Sequence, residues 1–238
     1  MIVEKIKEFG TVILDTIFPI ECLGCKKEGE WICKQCLGRL PIAGQESCFA
    51  CKKESTGGRT CFSCMRTFPM ARMMRFFDYD EPMLKEAIRI AKYALVKEAL
   101  TQLVGVMLPY LPGTLEPCDT DPRALLFVPV PLHPRRFRER GFNQAELIAS
   151  ACASACGASY SSALTRVRYT LPQADLDETD RARNIARAFV CPDPSVVQGR
   201  YVVLTDDVAT TGATLTQCAR ALLDAGACEV SGLVLAKG

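Results

Sequence analysis

Four Cys-x-x-Cys pairs, Cys22/Cys25, Cys33/Cys36, Cys48/Cys51 and Cys61/Cys64, fall between residues 22 and 64, and they restrict what the chain can fold into more than any other feature. A segment so short and so interrupted by glycine builds little apolar core, so cross-links must take the core's place. Residues 1–20 lack the basic start, apolar centre and small-residue cleavage site of a signal peptide, and the chain reads as cytoplasmic. Thiols stay reduced there, so clustered cysteines point to metal rather than to disulfides. A tight knuckle brings two sulfurs to one ion at ~2.3 Å while backbone amides soften the charge. Eight thiolates suffice for up to two four-sulfur sites. Zinc is the leading ion; the sequence has no Cys-x-x-Cys-x-x-Cys-x-x-x-Cys-Pro run for an iron–sulfur cluster. A mononuclear iron site stays open. Sequential pairing gives Cys22/Cys25/Cys33/Cys36 and Cys48/Cys51/Cys61/Cys64, and interleaved pairing is the alternative. Four thiolates leave no open coordination position, so the role is structural. Cys118, Cys152, Cys156, Cys191, Cys218 and Cys228 lack this spacing and read as small core residues.

Composition narrows the function. With 49% hydrophobic and 24% charged residues the chain can bury a core, and a net charge of +2 advertises neither nucleic acid nor an acidic tail. His133 is the only histidine, it lies in Leu132-His133-Pro134, and no Gly-x-Ser-x-Gly elbow exists, which argues against hydrolase triads. No apolar run reaches the ~18 residues that span a bilayer.

Ile2, Ile6, Phe9, Ile13 and Ile17 recur at helical spacing, so residues 1–20 form an amphipathic helix. Packing on the rest of the protein is the simpler use of such a helix, and a membrane or partner surface is the alternative. The metal module follows over 21–68, and a third unit over 69–238. Residues 72–79 read as a strand, and a long helical pattern runs from Glu81-Pro82 to about Leu108. Leu125 to Val130 is a buried strand, Asn143 to Ala155 a helix with Asn143 and Glu146 as a capping box, Tyr201 to Thr205 a strand, Thr214 to Ala225 a helix and Glu229 to Leu235 a strand. Alternation of this kind predicts an open, mostly parallel α/β sheet.

Tyr201-Val202-Val203-Leu204-Thr205-Asp206-Asp207-Val208-Ala209-Thr210-Thr211-Gly212-Ala213-Thr214-Leu215 carries the sharpest signal. A strand ends in two carboxylates, a loop of small residues follows, and a helix begins. Ligands of open α/β sheets bind at the carboxyl ends of strands, and helix N-termini favour anions. Two carboxylates beside a phosphate would repel it, but they suit sugar hydroxyls or a Mg2+-chelated ligand. A plain strand-turn-helix is the simpler reading. No Gly-x-x-x-x-Gly-Lys-[Ser/Thr] loop exists, which argues against a P-loop NTPase.

The stretch resembles the phosphoribosyl-pyrophosphate (PRPP) signature of type I phosphoribosyltransferases. The resemblance implies that Asp206 and Asp207 meet ribose hydroxyls and that Ala209, Thr210, Thr211, Gly212, Ala213 and Thr214 wrap the 5′-phosphate. A second motif, Val128-Pro129-Val130-Pro131-Leu132-His133-Pro134-Arg135-Arg136-Phe137-Arg138-Glu139-Arg140-Gly141-Phe142-Asn143-Gln144, lies downstream of the four knuckles. Together with Lys92-Tyr93 and the segment from Thr170 to Phe189, this order resembles the ComF family over nearly the whole chain. The implied fold is an open sheet of the type I phosphoribosyltransferase kind with an N-terminal zinc module. The implied partners are Mg2+-PRPP or a similar phosphorylated sugar, single-stranded DNA entering in natural transformation, and DNA-uptake proteins. A peripheral place at the inner membrane face stays open.

The charges agree with this independently. Between Lys97 and Lys237 every basic side chain is Arg, twelve in all. Arg binds phosphate through a planar fork where Lys acts as a point charge. The resemblance puts the pyrophosphate loop at Arg135, Arg136 and Arg138, and a mobile hood with Arg181 and Arg183 at Thr170 to Arg183. Gly141-Phe142-Asn143 reads as a turn and helix cap. Three functions stay open: a phosphoribosyltransferase acting on an unseen acceptor, a handler of single-stranded DNA, and a PRPP-sensing regulator without catalysis.

Overall fold

The computed structural model describes residues 19–44, 47–94, 96–111, 115, 124–167 and 188–238. The expected N-terminal helix over residues 2–18, Cys118, and the segment from Thr170 to Arg183 with Arg181 and Arg183 lie outside the described residues.

Among the described residues the centre of the molecule is a parallel sheet of β1 (Met73–Asp78), β2 (Leu125–Pro129), β3 (Ser159–Tyr160), β6 (Tyr201–Ala209) and β7 (Glu229–Lys237), in the order β1-β7-β6-β2-β3. Two short strands, β4 (Thr165–Arg166) and β5 (Phe189–Val190), pair antiparallel beside it. The expected α/β sheet is present. Strands of a parallel sheet are covered on both faces and so read as apolar runs rather than alternating ones, as Leu126–Val128 and Leu233–Ala236 do.

The short helices α1 (Lys34–Leu37) and α2 (Phe62–Met65) belong to the cysteine module. They are followed by α3 (Pro82–Tyr93), α4 (Lys97–Met107), α5 (Pro134–Arg140), α6 (Gln144–Cys156) and α7 (Ala213–Asp224). Helices α3, α4 and α6 share one apolar cluster with Val203, Leu233 and Leu235. Helix α7 joins another with Val202, Leu204 and Val234, which also takes Phe49 and Phe68 of the cysteine module. The two halves of that module therefore face different layers. Among the described residues no helix is long and apolar enough to cross a membrane.

Three expectations change. The single helix from Pro82 to Leu108 is two helices: Val96 is extended, and Ala94 and Val96 both turn their N–H groups to the Ile90 carbonyl. Both halves are amphipathic, so apolar spacing alone does not mark the change of direction. The strand beginning at Tyr201 runs to Ala209 rather than Thr205, because β7 continues to pair with it as far as Ala209 opposite Lys237. Of the five other cysteines among the described residues, only Cys152 and Cys218 are buried; Cys156 and Cys191 are half-buried and Cys228 is exposed.

Candidate functional site

The metal-binding residues come first because they border the rest. Among the described residues the sulfurs form two quartets, Cys22/Cys25/Cys33/Cys36 and Cys48/Cys51/Cys61/Cys64, with all four sulfurs of each within 4.8 Å of one another. Pairing is thus sequential. A tetrahedral site with ~2.3 Å bonds has sulfurs ~3.8 Å apart; Cys25 and Cys33 stand 3.7 Å apart, Cys51 and Cys61 3.6 Å. The Cys33 amide donates to Cys22 Sγ at 3.3 Å, the knuckle contact that stabilises a thiolate. Burial opposes ionisation of Cys22, but the amides of Cys33, Cys25 and Gly24 outweigh it and bring the thiol down to about 6. Hydrogen bonds from Ser63, then Cys64 and Cys51, bring Cys61 to about 6. Cys36 and Cys64 are held at about 12, chiefly by their bonds to Cys33 and Cys61. Protons shared within a sulfur quartet are the ones a metal displaces. The two clusters fit up to two structural zinc ions, which would supply the cross-link that a small core cannot.

The second feature is a cleft at the carboxyl end of β6. β2 ends at Pro129 opposite Thr205, so from Asp206 onward β6 is paired on the β7 side alone among the described residues. Successive strand residues face opposite sides, and the two carboxylates separate accordingly. Asp206 lines a small open pocket with Val208, Ala209, Thr210 and the turn Gly212–Leu215 that starts α7. Asp207 faces the other way with Thr205, whose hydroxyl donates to the Ala145 carbonyl at 3.1 Å. Asp207 is 6% exposed, and its Oδ2 accepts from Lys92 Nζ at 2.9 Å.

Burial first, then the charge of Asp207, push the Asp206 carboxyl up to about 7, against the pull of Lys92, the Asp207 amide and Arg140. That amide donates to Asp206 Oδ1 at 2.9 Å. Opposite the carboxyl, Gly212 takes a left-handed conformation (φ 75°) and gives α7 no capping side chain. The first-turn amides of a helix lack intrahelical acceptors, and the helix dipole is positive at that end. Thr211 Oγ1 accepts from the Ala213 amide at 3.4 Å. The pocket lining thus combines the Asp206 carboxyl with Thr210, Thr214 and the first turn of α7.

Of the residues singled out in the sequence, the pocket unites Asp206, Ala209, Thr210, Gly212, Ala213 and Thr214. Asp207 and Thr211 are not part of its lining. Arg135, Arg136 and Arg138 form part of a helix rather than an open loop, since Pro134 starts α5, His133 Nδ1 accepts from the Arg135 amide at 3.2 Å, and left-handed Gly141 ends it. Arg135 pairs with Glu139 at 3.2 Å. Burial and the charges of Arg166, Arg138, Arg135 and Arg136 lower the pKa of His133, so these four guanidinium groups share one neighbourhood. Asn143 caps α6 by accepting from the Ala145 amide at 3.1 Å, and Gly141-Phe142-Asn143 is the expected turn and cap.

Two residues that the sequence motifs contain take roles beside the aspartates that the sequence did not assign. Lys92 holds Asp207 from a helix far away in the chain. Arg140, the last residue of α5, is the guanidinium whose charge reaches Asp206.

A family model described as a double zinc ribbon domain matches residues 13–70. DNA utilization protein YhgH of Escherichia coli (strain K12) is 32% identical over 210 residues, covering 85% of this chain and 88% of that protein. Competence protein F of Haemophilus influenzae is 26% identical over 224 residues, covering 86% and 96%. Among solved structures, a glutamine PRPP amidotransferase from B. subtilis complexed with ADP and GMP superposes with a TM-score of 0.37 at 19% identity, over 58% of this chain and 26% of that one.

Proposed function

The chain belongs to the ComF family, and on that premise we propose that the pocket of Asp206 and residues 209–215 is a Mg2+-PRPP-type site on a sheet of the type I phosphoribosyltransferase kind, in a protein that handles single-stranded DNA. The division into a double ribbon over 21–68 and a PRPP-binding unit over 69–238 is part of this reading. The observation that carries it is the pocket itself: the Asp206 carboxyl lines it together with the first turn of α7, at the carboxyl end of the central strand. Sugar hydroxyls suit the Asp206 carboxyl, because they donate to a carboxylate, and a phosphate suits the helix N-terminus.

The roles divide between the two sides of β6. Asp206 accepts from the sugar. The amides and hydroxyls from Thr210 to Thr214 hold the 5′-phosphate. Asp207, tied to Lys92, fixes the strand and lowers the cost of a second buried negative charge beside Asp206. Arg140, with the arginines of α5, faces the diphosphate. Magnesium chelated by the diphosphate would supply the charge that lets a carboxylate sit beside it. The DNA part of the reading draws on the names of the relatives, a DNA utilization protein and a competence protein, and on the arginine-rich α5.

The test is calorimetric titration of PRPP with Mg2+ into the wild type, Asp206→Asn and Thr210→Ala/Thr214→Val. Saturable heat in the wild type, lost or weakened at least tenfold in the variants, is expected. Equal binding in all three would remove the ligand from this pocket. For the DNA part, oligonucleotide affinity should fall with the logarithm of salt concentration and flatten in Arg136→Ala/Arg138→Ala.

A further inference from the structure

We propose that the second ribbon, not the first, is the positioning element for the β6–α7 loop, so that the Cys48/Cys51/Cys61/Cys64 site and the shape of the phosphate cradle stand or fall together. Phe49 lies inside the knuckle between Cys48 and Cys51. Phe68 hangs from the other end of the quartet, its amide donating to the Cys64 carbonyl at 2.8 Å. Their rings stack at 5.3 Å between centroids with 15° between planes, and both are buried, 7% and 4% exposed.

This ring pair touches Gly212. A Cβ there would come within 2.8 Å of Phe68 Cε2 and 2.9 Å of Phe49 Cε1. The left-handed residue that turns β6 into α7 therefore rests on the two aromatic side chains fixed by the quartet. Two further contacts clamp the flanks. Lys237, at the end of β7 opposite Ala209, donates to the Phe49 carbonyl at 3.1 Å and lies 4.1 Å over its ring. Arg220 of α7 donates to the Thr67 carbonyl at 3.4 Å. Strand side, turn and helix side of the loop are each tied to the same ribbon.

The first ribbon is tied elsewhere. Its Ile32 amide donates to Gln102 Oε1 of α4 at 3.0 Å, and a Cβ on Gly24 would come within 2.9 Å of Met83 Sδ of α3. Cys22, Ile32 and Cys36 pack into the α3–α4 cluster, whereas Phe49 and Phe68 pack into that of α7. Metal in the second quartet thus fixes two rings against the loop; metal in the first fixes a helix pair.

The test needs no ligand. Amide hydrogen exchange is followed at Thr216, whose N–H donates to the Gly212 carbonyl, and at Gly238, whose N–H donates to the Ala209 carbonyl, together with metal content and the emission of Trp31, the only tryptophan and a reporter of the first ribbon. Phe68→Ala and Cys61→Ser should speed exchange at both amides by about tenfold or more, with β6 amides over 202–205 and Trp31 emission unchanged. Phe68→Leu should restore most of the protection, and Cys33→Ser should shift Trp31 and spare the loop. Should Cys61→Ser fail to fold, Phe68→Ala against Phe68→Leu decides. Loop exchange that ignores Phe68→Ala, or that responds equally to Cys33→Ser, overturns the proposal. That the loop cradles phosphate rests on the reading above and is read separately: Mg2+-PRPP should bind Phe68→Ala about tenfold more weakly than wild type. A wild type that binds none would sink that reading, while the exchange data would still decide the buttress.

Discussion

Gly212→Ala is the substitution whose cost follows most directly from the geometry. Two penalties meet at one atom. The residue sits at φ 75°, where a side chain costs about 1–2 kcal/mol. The added Cβ also lands at 2.8 and 2.9 Å from two ring carbons of a buried stack, and overpacking of that kind costs about 1–3 kcal/mol. Neither ring is the loose end of a long side chain, so neither yields cheaply. The expected destabilisation is roughly 2–5 kcal/mol, read as a lower urea midpoint at unchanged slope. The two penalties separate in a double-mutant cycle. In a Phe68→Ala background the contact with Phe68 is gone and Phe49 has room to give way, so most of the overpacking part should be relieved and the backbone part remain, giving a coupling of up to about 1–3 kcal/mol. A Gly212→Ala protein within about 0.5 kcal/mol of wild type, the range of an inert surface change, would refute the packing; a full cost that persists without Phe68 would refute the role of that ring.

Lys92→Met leaves Asp207 buried without its cation and should cost about 3–5 kcal/mol in the same melt, most of it recovered by Lys92→Met/Asp207→Leu. Asp206 gives a pH signature. Its pKa in the folded protein lies above the unfolded value, so the folded state keeps the proton longer and stability falls as pH rises from 3.8 to about 7. Asp206→Asn should lose that slope, and an unchanged profile would show that the carboxyl is not held up. Metal analysis should find two zinc ions per chain, and their removal by a mercurial with a chelator should lower the melting temperature steeply, most of it restored by zinc. One zinc per chain would contradict the pairing.

The sequence made legible what local chemistry decides. Cys-x-x-Cys spacing fixes metal binding, the apolar run at Tyr201 marks the central strand, and Asn143 is a helix cap by side chain and position alike. What stayed hidden depends on neighbours distant in the chain. Lys92 and Asp207 are far apart in sequence, and their ion pair exists only because α3 packs into the same apolar cluster as Val203 of β6 and Leu233 of β7. The separation of Asp206 from Asp207 follows from how far β7 carries β6, which no spacing within residues 201–215 reveals. Arg135–Arg138 carried the right charge for a loop, but Pro134 and Gly141 bound a helix there. The docking of Phe49 and Phe68 beneath Gly212 was equally invisible, since an aromatic beside a knuckle cysteine reads as local packing.

The most direct measurement is a crystal structure of the wild type grown with PRPP and Mg2+. The account predicts the 5′-phosphate against the amides between Thr210 and Thr214 and the ribose hydroxyls within hydrogen-bonding reach of Asp206, with Phe49 and Phe68 unmoved beneath Gly212. A ligand seated on α5 away from β6, or a pocket left empty at saturating PRPP, would contradict it.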